Sequence, residues 1–203
     1  MRRQAPKKRI ILGVTGSLGS GKTTVAKMLG CGGAKIIDAD RIAHRVIRAG
    51  TKIYRKIVGA FGNDILEHNK SIDRDKLAKM VFSNKNILKL LNRITHPEII
   101  RIIKREIERA PEKVIVLDAP LLIEAGLEKI VDKLIVVKIR KRQQLKRIQE
   151  KTSINKTEIL KRIKYQFPLS HKVRLADFVI DNSGTMKKTK KQVEQIRRLL
   201  WKN

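Results

Sequence analysis

The chain contains the octapeptide Gly16-Ser17-Leu18-Gly19-Ser20-Gly21-Lys22-Thr23, which fits the pattern G-x-x-x-x-G-K-[ST]. Residues 10–14 before it are apolar and partly β-branched, as expected of a buried parallel strand, and residues 24–29 after it suit a helix. A strand, a glycine-rich turn and a helix in this order indicate a binding site for the phosphates of a nucleoside triphosphate. The competing interpretation is a glycine-rich turn that binds no ligand.

Each part of the octapeptide has a physical role in holding phosphate. Gly16, Gly19 and Gly21 let the backbone curl so that its N–H groups surround an anion. Lys22 places a positive charge on the β- and γ-phosphates, Thr23 offers a hydroxyl to Mg²⁺, and the helix points its positive end at the phosphates. We therefore expect the nucleotide to contact Gly16, Ser17, Leu18, Gly19, Ser20, Gly21, Lys22, Thr23 and Thr24. A dinucleotide-binding fingerprint starting at Gly19 would need glycine at position 24, where the chain has threonine.

The length of 203 residues suits one α/β domain with insertions and is enough to bury a sizeable core. No apolar run approaches the ~20 residues that a membrane helix needs, so we expect a cytoplasmic protein without membrane contact. The single cysteine, Cys31, cannot form an internal disulfide. We expect its thiol to be small, at least half-buried and not catalytic.

The formal net charge of +29 makes nucleic acid a candidate partner. Two observations favour a solvated basic surface instead. Lysine and arginine are spread along the whole chain, and aromatic residues, which stack on bases, make up only 3% of it. The composition therefore predicts non-specific electrostatic binding of nucleic acid at most, and a basic surface also suits small polyanionic ligands.

Predicted strands alternate with predicted helices, which indicates a parallel sheet with ligands at the carboxyl ends of its strands. The predicted strands are 10–14, 34–40, 114–118, 134–137 and 178–180. Between Arg41 and Ala110 the pattern predicts helices alone, over 41–48, 52–61 and 75–82, with a further one that starts at Pro97 and stops before Pro111. An intensely basic segment from Arg140 to Lys164 follows the fourth strand. We predict that it is helical, with Asn155 and Glu158 spaced as a helix cap.

Carboxylates follow three of the predicted strands. Asp38 and Asp40 follow the second, Asp118 ends the third, and Asp181 follows the last. Asp181 has the features of a cap or turn residue. The topology brings the other strand ends toward the phosphate-binding loop, so Asp38, Asp40 and Asp118 are candidates for chemistry.

A triphosphate-binding loop serves switch GTPases, motor ATPases and small-molecule kinases alike. A GTPase would need the guanine-selective N-K-x-D, and neither Asn84-Lys85-Asn86 nor Asn155-Lys156-Thr157 continues to aspartate in the required place. A small kinase needs the loop, an acceptor pocket and a basic segment that closes over the transferred phosphoryl. The helical insertion can supply the pocket and the basic segment can supply the lid.

Further motifs, in order along the chain, make it resemble the dephospho-coenzyme A kinase family from about Ile11 to Gly184. They are Gly13-Val14-Thr15-Gly16, Ile37-Asp38-Ala39-Asp40, Phe61-Gly62-Asn63-Asp64-Ile65-Leu66, Ile72-Asp73-Arg74, Leu91-Asn92-Arg93-Ile94-Thr95-His96-Pro97, Pro120-Leu121-Leu122-Ile123-Glu124-Ala125-Gly126-Leu127, Gln144-Leu145-Lys146-Arg147, Arg162-Ile163-Lys164-Tyr165-Gln166 and Ala176-Asp177-Phe178-Val179-Ile180-Asp181-Asn182.

The resemblance implies transfer of the γ-phosphoryl of ATP to the ribose 3′-hydroxyl of dephospho-CoA, with Mg²⁺. Two alternatives are a related kinase of another nucleoside or nucleotide, and a basic nucleic-acid-binding protein with a vestigial phosphate loop. We expect a monomer or weak oligomer. The fold it implies is a three-layer α/β/α kinase core with a parallel sheet, an inserted helical substrate domain and a helical lid. The family domain would span 9–185, with core segments 9–40, 112–139 and 175–203, the acceptor-binding insertion 41–111 and the lid 140–166. Residues 1–8 would form a basic tail outside it.

The resemblance also assigns roles to individual residues. Asp40 is the first candidate to accept the hydroxyl proton and Asp38 the second, while Lys22 and Arg147 neutralise the transferring phosphoryl. Thr23 and Asp118 would hold Mg²⁺. The residues expected on the acceptor side are Thr15, Asp38, Arg74, His96, Glu124 and Arg162. Lys151 stands where the family commonly has a second lid arginine, and lysine lacks the planar fork that grips two phosphate oxygens.

Overall fold

The computed structural model describes residues 9–151 and 156–201, except the side chains of residues 151, 156 and 158. These residues form two compact units, one comprising the chain up to Asp38 and from Arg109 onward, the other Ala39–Glu108. The strands are β1 (Ile10–Gly16), β2 (Lys35–Asp38), β3 (Val114–Asp118), β4 (Lys133–Lys138) and β5 (Phe178–Asp181). The helices are α1 (Lys22–Gly30), α2 (Ala39–Val46), α3 (Lys52–Phe61), α4 (Arg74–Ser83), α5 (Lys85–Arg109), α6 (Lys141–Lys151), α7 (Lys156–Lys164), α8 (Leu169–Leu175) and α9 (Met186–Leu200).

The five strands of the first unit form one parallel sheet in the order β2-β3-β1-β4-β5. β1 is central, so the loop that follows it at Gly16 lies between the ends of β3 and β4. In the register of the sheet, Asp118 on β3 is aligned with Val14 on β1 and with Asp38 on β2. The carboxyl ends of the strands therefore bring the glycine-rich loop and two acidic residues to one edge, where ligands of open parallel sheets bind.

Apolar side chains on both faces hold this sheet between helices. Successive residues of a strand point to opposite faces, so Leu12 and Val14 share one face and Gly13 and Thr15 share the other. The first face packs against α1 and α9 in a buried cluster that includes Val25, Leu29, Val116, Val137, Val193 and Ile196. On the second face, Leu122 and Val131 lie so close to Gly13 that a Cβ there would contact both. The predicted α/β fold with a parallel kinase-type sheet is confirmed.

The unit Ala39–Glu108 is helical, apart from a short 3-10 turn at Asn63–Ile65 and one bridge between Leu66 and Ile72. Local capping explains where its helices begin. Thr51 caps α3 by accepting a hydrogen bond at Oγ1 from the Tyr54 N–H, 3.0 Å away, and the Asp73 carboxylate caps α4 by accepting from the N–H groups of Asp75 and Lys76.

The prediction that a helix begins at Pro97 is wrong. Pro97 lies inside α5, which runs unbroken for 25 residues from Lys85. Proline lacks the N–H that would bond to Arg93, yet Ile87, Leu91 and Ile94 continue the same helical repeat toward the amino end. Thr95 also donates its hydroxyl to the Leu91 carbonyl, 2.9 Å away, in the turn before the proline. The apolar repeat and this hydrogen bond thus keep the helix continuous although Pro97 cannot donate a backbone hydrogen bond.

Two further observations concern the surface. Cys31 is exposed, contrary to the sequence-based expectation, because α1 ends at Gly30 and Cys31 begins the connection to β2. Within 9–151 and 156–201, every helix is too short or too polar to cross a lipid bilayer.

Candidate nucleotide-binding site

The loop between β1 and α1 has a backbone suited to binding an anion. Gly19 and Gly21 have φ values of 76° and 86°, a left-handed conformation that glycine adopts without strain. α1 begins at Lys22 without a side-chain cap, so the N–H groups of its first turn are directed at whatever lies in the loop. Such a helix start, with its positive dipole end, attracts phosphate.

Side chains distant in sequence brace this loop. The Gln144 amide donates from Nε2 to the Leu18 carbonyl over 2.6 Å, and the Leu18 N–H donates to Oε1 of Gln166 over 3.1 Å. Asn182, which is 6% exposed, donates from Nδ2 to the Ser20 carbonyl over 2.8 Å. Its Oδ1 accepts from the Thr189 hydroxyl over 2.9 Å, so both ends of the amide are satisfied. The loop is thereby preorganised.

A cavity of about 420 Å³ opens beside the loop. Leu18, Gly19, Gly21, Thr24, Arg147, Ile148, Asn182, Gly184 and Met186 line it. Arg147, on α6, donates from Nη2 to the Asn182 carbonyl over 3.2 Å, which fixes a guanidinium in the wall near Gly21. The volume is within the usual range for small-molecule sites, and the wall combines apolar side chains with a cation, as an aromatic base and its phosphates require.

Oxygen atoms line the sheet edge next to this loop. Asp118 is 3% exposed and occupies the end of β3. Thr15, fully buried on β1, donates its hydroxyl to the Pro120 carbonyl over 3.2 Å and so ties the chain after β3 to the start of the loop. No cluster of three or more His, Cys, Asp or Glu side chains suited to a metal occurs in the described part of the chain.

A dephospho-CoA kinase family model matches residues 10–188. The chain is 43% identical over 197 residues to a dephospho-CoA kinase of Carboxydothermus hydrogenoformans, covering 95% of this chain and 96% of that protein. It is 42% identical over 190 residues to a dephospho-CoA kinase of Bacillus licheniformis, covering 92% and 94% of the two chains. The chain belongs to the dephospho-CoA kinase family. The family and the phosphotransferase class predicted from the motifs are thus confirmed.

Solved structures agree with this family assignment. A Thermus thermophilus crystal structure superposes with a TM-score of 0.80 at 28% identity, over 96% of this chain and 99% of that one. A dephospho-CoA kinase from Campylobacter jejuni superposes with a TM-score of 0.67 at 28% identity, over 94% and 96%. Shikimate kinase from Acinetobacter baumannii, at 14% identity and a TM-score of 0.57, shares the fold.

The structure of this dephospho-CoA kinase family member brings several of the predicted residues together. The 420 Å³ cavity is lined by Arg147 together with Gly19, Gly21 and Thr24 of the loop. Thr15 contacts the segment that follows β3, and Glu124 is part of that segment. Arg162 lies on α7. The side chain of Lys151 and residues 152–155, which include the predicted cap Asn155, lie outside the described residues.

Other predicted residues belong to the unit Ala39–Glu108. The predicted strand 34–40 is too long at its carboxyl end, because β2 ends at Asp38 and Asp40 is the second residue of α2. Arg74, at the start of α4, approaches His44 with Nη1 and Nδ1 3.5 Å apart. Both line a cavity of about 470 Å³, together with Arg48 and three acidic residues, Glu67, Asp73 and Asp75. His96 is half-buried on α5, and burial lowers the pKa of its imidazole, which favours the neutral ring.

Four residues that contact the site were missed by the sequence reasoning. Gln144, Gln166 and Asn182 lie inside the family motifs quoted above, and that position was the available signal. Lys172 gave no signal, because it is one of 48 lysines and arginines in the chain. Its side chain is nevertheless completely buried beside the Pro120 carbonyl and the Glu124 carboxylate.

Proposed function

We propose that the chain transfers the γ-phosphoryl of ATP to the ribose 3′-hydroxyl of dephospho-CoA. One observation carries this proposal: the braced glycine loop at the start of α1 opens on a cavity that contains Arg147, in a chain whose relatives are dephospho-CoA kinases. Phosphoryl transfer needs little covalent chemistry from the protein, so a rigid anion cradle and fixed cations account for most of what it must supply.

ATP is the donor in this proposal, and the loop binds its phosphates. Backbone N–H groups of residues 16–24 surround the β- and γ-phosphates, while Lys22 and Arg147 offset the negative charge that develops on the transferring group. Asn182 keeps Arg147 and the loop in register, since it is hydrogen-bonded to both. The adenine base of ATP packs against the part of the cavity wall that Ile148 and Met186 form.

Thr23 and Asp118 are the residues that would hold Mg²⁺. Both offer oxygen atoms, which are the donors that this ion prefers, and Asp118 is held at the sheet edge adjacent to the loop strand. The ion, when bound with ATP, supplies positive charge to the β- and γ-phosphates. The residues present therefore fit the group that the family resemblance implies.

The acceptor hydroxyl is activated by a carboxylate that follows β2. Asp40 accepts its proton, with Asp38 as the second candidate, because a carboxylate at or just after the end of a strand beside a phosphate-binding loop can reach a nucleophile. The residues that contact the acceptor are Arg74, His96, Glu124, Arg162 and Thr15. The acceptor's phosphates suit the cations Arg74 and Arg48, which line the 470 Å³ cavity. Residues 41–111 form the acceptor-binding insertion, and 140–166, including Lys151, form the lid over ATP.

The remaining proposals concern the surroundings of the enzyme. We place it in the cytoplasm as a monomer or weak oligomer. Nucleic acid binds its basic surface only through non-specific electrostatic attraction, which salt weakens.

An acceptor panel with ADP release as the signal tests this function. Dephospho-CoA should exceed nucleosides, nucleotides and shikimate by a wide margin. Lys22→Ala should abolish turnover, and Asp40→Asn should reduce kcat by about a hundredfold with ATP affinity largely retained. Equal rates with another acceptor would refute the substrate assignment, and near-normal turnover by Asp40→Asn would refute the role of that carboxylate.

A further inference from the structure

Lys172 is a buried ammonium close to the proposed donor site. It lies on α8, its side chain has no exposed surface, and its Nζ donates to the Pro120 carbonyl over 2.9 Å and to Oε1 of Glu124 over 2.8 Å. Burial lowers the pKa of this ammonium, while the hydrogen bond and negative charge of Glu124 oppose that shift; the positive charge of Lys22 also lowers it. Lys172 is thus within electrostatic range of the phosphate-binding lysine.

The contacts of this ion pair join three segments of the first unit. Thr15, next to the glycine loop, donates to the same Pro120 carbonyl that Lys172 contacts. The N–H of Phe167, three residues after α7 ends, donates to Oε1 of Glu124 over 2.8 Å. This pair therefore holds three segments together. They are the start of the loop, the chain that follows Asp118 and the chain that leaves the basic helices.

Stability alone does not explain a charge in this position. Taking two ions out of water costs several kcal/mol each, and apolar residues of similar volume often serve a folded core equally well or better. A charged side chain that donates to two acceptors does what an apolar side chain cannot, because its hydrogen bonds fix the positions of both acceptors. The two acceptors here belong to the segment 120–124, which directly follows Asp118 and Ala119.

We propose that Lys172 is a positioning residue for phosphoryl transfer. Together with Glu124, it holds the segment 120–124 and the chain that leaves the lid against the glycine-rich loop. The proposal rests on the proposed function for the reaction that it serves. Lys172 acts through Glu124 and Pro120. Phosphoryl transfer is sensitive to displacements of about 1 Å, so release of this point should slow the chemical step more than it weakens ATP binding.

The test separates position from stability with a paired substitution. Lys172→Met alone leaves the Glu124 charge buried without its ammonium, which strongly destabilises a fold. Lys172→Met combined with Glu124→Met removes both charges at similar volume, so the double variant should fold and melt near the wild type. Glu124→Gln is the milder alternative, because it keeps an acceptor oxygen for both Lys172 and Phe167. Lys190→Met, at an exposed position on α9, is the matched control.

Two measurements decide the outcome. Calorimetric titration with ATP counts the binding-competent molecules and gives their Kd, and kcat is then expressed per competent molecule. We expect the double variant to keep its ATP Kd within about threefold and to lose at least tenfold in kcat, with a smaller loss in Glu124→Gln and none in Lys190→Met. The KM for dephospho-CoA should change less than kcat in both Glu124 variants.

Normal kcat per competent molecule in the double variant or, if that variant does not fold, in Glu124→Gln would overturn the proposal and leave the pair a structural role. A raised KM for dephospho-CoA with normal kcat would also overturn it, because that pattern is expected of an acceptor contact and not of a positioning pair. The proposed function would fail separately, through a wild type that ignores dephospho-CoA. The same comparison would then be made with the acceptor that the wild type does use.

Discussion

Substituting Gly21 with alanine should damage the donor site in two ways that can be measured apart. The φ of 86° at this position costs an L-residue about 1–2 kcal/mol. An added Cβ would also collide with Nδ2 of Asn182. If Asn182 moves away, the Ser20 carbonyl loses the buried hydrogen bond that the amide donates to it, which costs about 1–3 kcal/mol. The two effects together lower the free energy of unfolding by about 2–5 kcal/mol.

Gly33 provides the control for the backbone contribution. Its φ is 95°, but a Cβ there would meet no atom within 4 Å. Gly33→Ala should therefore cost only the strain of about 1–2 kcal/mol. The difference between the two variants isolates the collision with Asn182.

The assay is urea unfolding followed by circular dichroism, with calorimetric titration of ATP on the folded variants. Gly21→Ala should be less stable than Gly33→Ala by about 1–3 kcal/mol and should bind ATP more weakly by tenfold or more. Adding Asn182→Ala to Gly21→Ala should cost less than Asn182→Ala does in the wild type, because the collision is then absent. Equal stability of the two glycine variants, with unchanged ATP affinity, would refute the assignment of Asn182 as the brace of the loop.

Two further predictions follow from contacts in the first unit. Arg147→Lys should raise the ATP Kd by about three- to tenfold in calorimetry, since lysine keeps the charge but cannot reach the Asn182 carbonyl and a phosphate together; an unchanged Kd would contradict the role of the guanidinium. The Lys133 ammonium and the Leu134 N–H hold the pKa of Asp177 below its ordinary value of 3.8, so its stabilising contribution is complete above about pH 4 and is lost as the pH falls through the lower, folded-state pKa. Asp177→Asn should therefore flatten the loss of unfolding free energy as the pH falls below about 4 in urea titrations, and an identical pH dependence in the two proteins would contradict this linkage.

The strands and the donor loop were predictable because their signals are local. Val114–Asp118 is an apolar run with an acid at its end, and the structure gives it these bounds. The helix Lys52–Phe61 was also predicted with its observed limits, and the structure shows Thr51 capping its start. In the phosphate-binding motif, the spacing of glycines, Lys22 and Thr23 within eight residues already encodes a geometry.

The rest could not be read from local patterns. Proline is a favoured first residue of helices and a poor interior one, so only packing in the folded chain shows that α5 continues through Pro97. The brace from Asn182 and the burial of Lys172 join residues far apart in sequence. The sequence marks Asn182 as a turn residue and Lys172 as a surface cation, because their partners are brought to them by the sheet order.

The hydrogen bond between Asn182 and the Ser20 carbonyl closes a loop of 162 positions. During synthesis, the Asn182 amide emerges 162 positions after the Ser20 carbonyl that it holds. Pairing residues so distant is entropically costly and slows folding. A ribosome-bound nascent chain that ends before residue 182 would carry the complete phosphate-binding sequence and still lack the hydrogen bond that Asn182 donates to it. This enzyme should therefore bind nucleotide only once β5 has docked onto the sheet, and not as soon as the octapeptide has been synthesised.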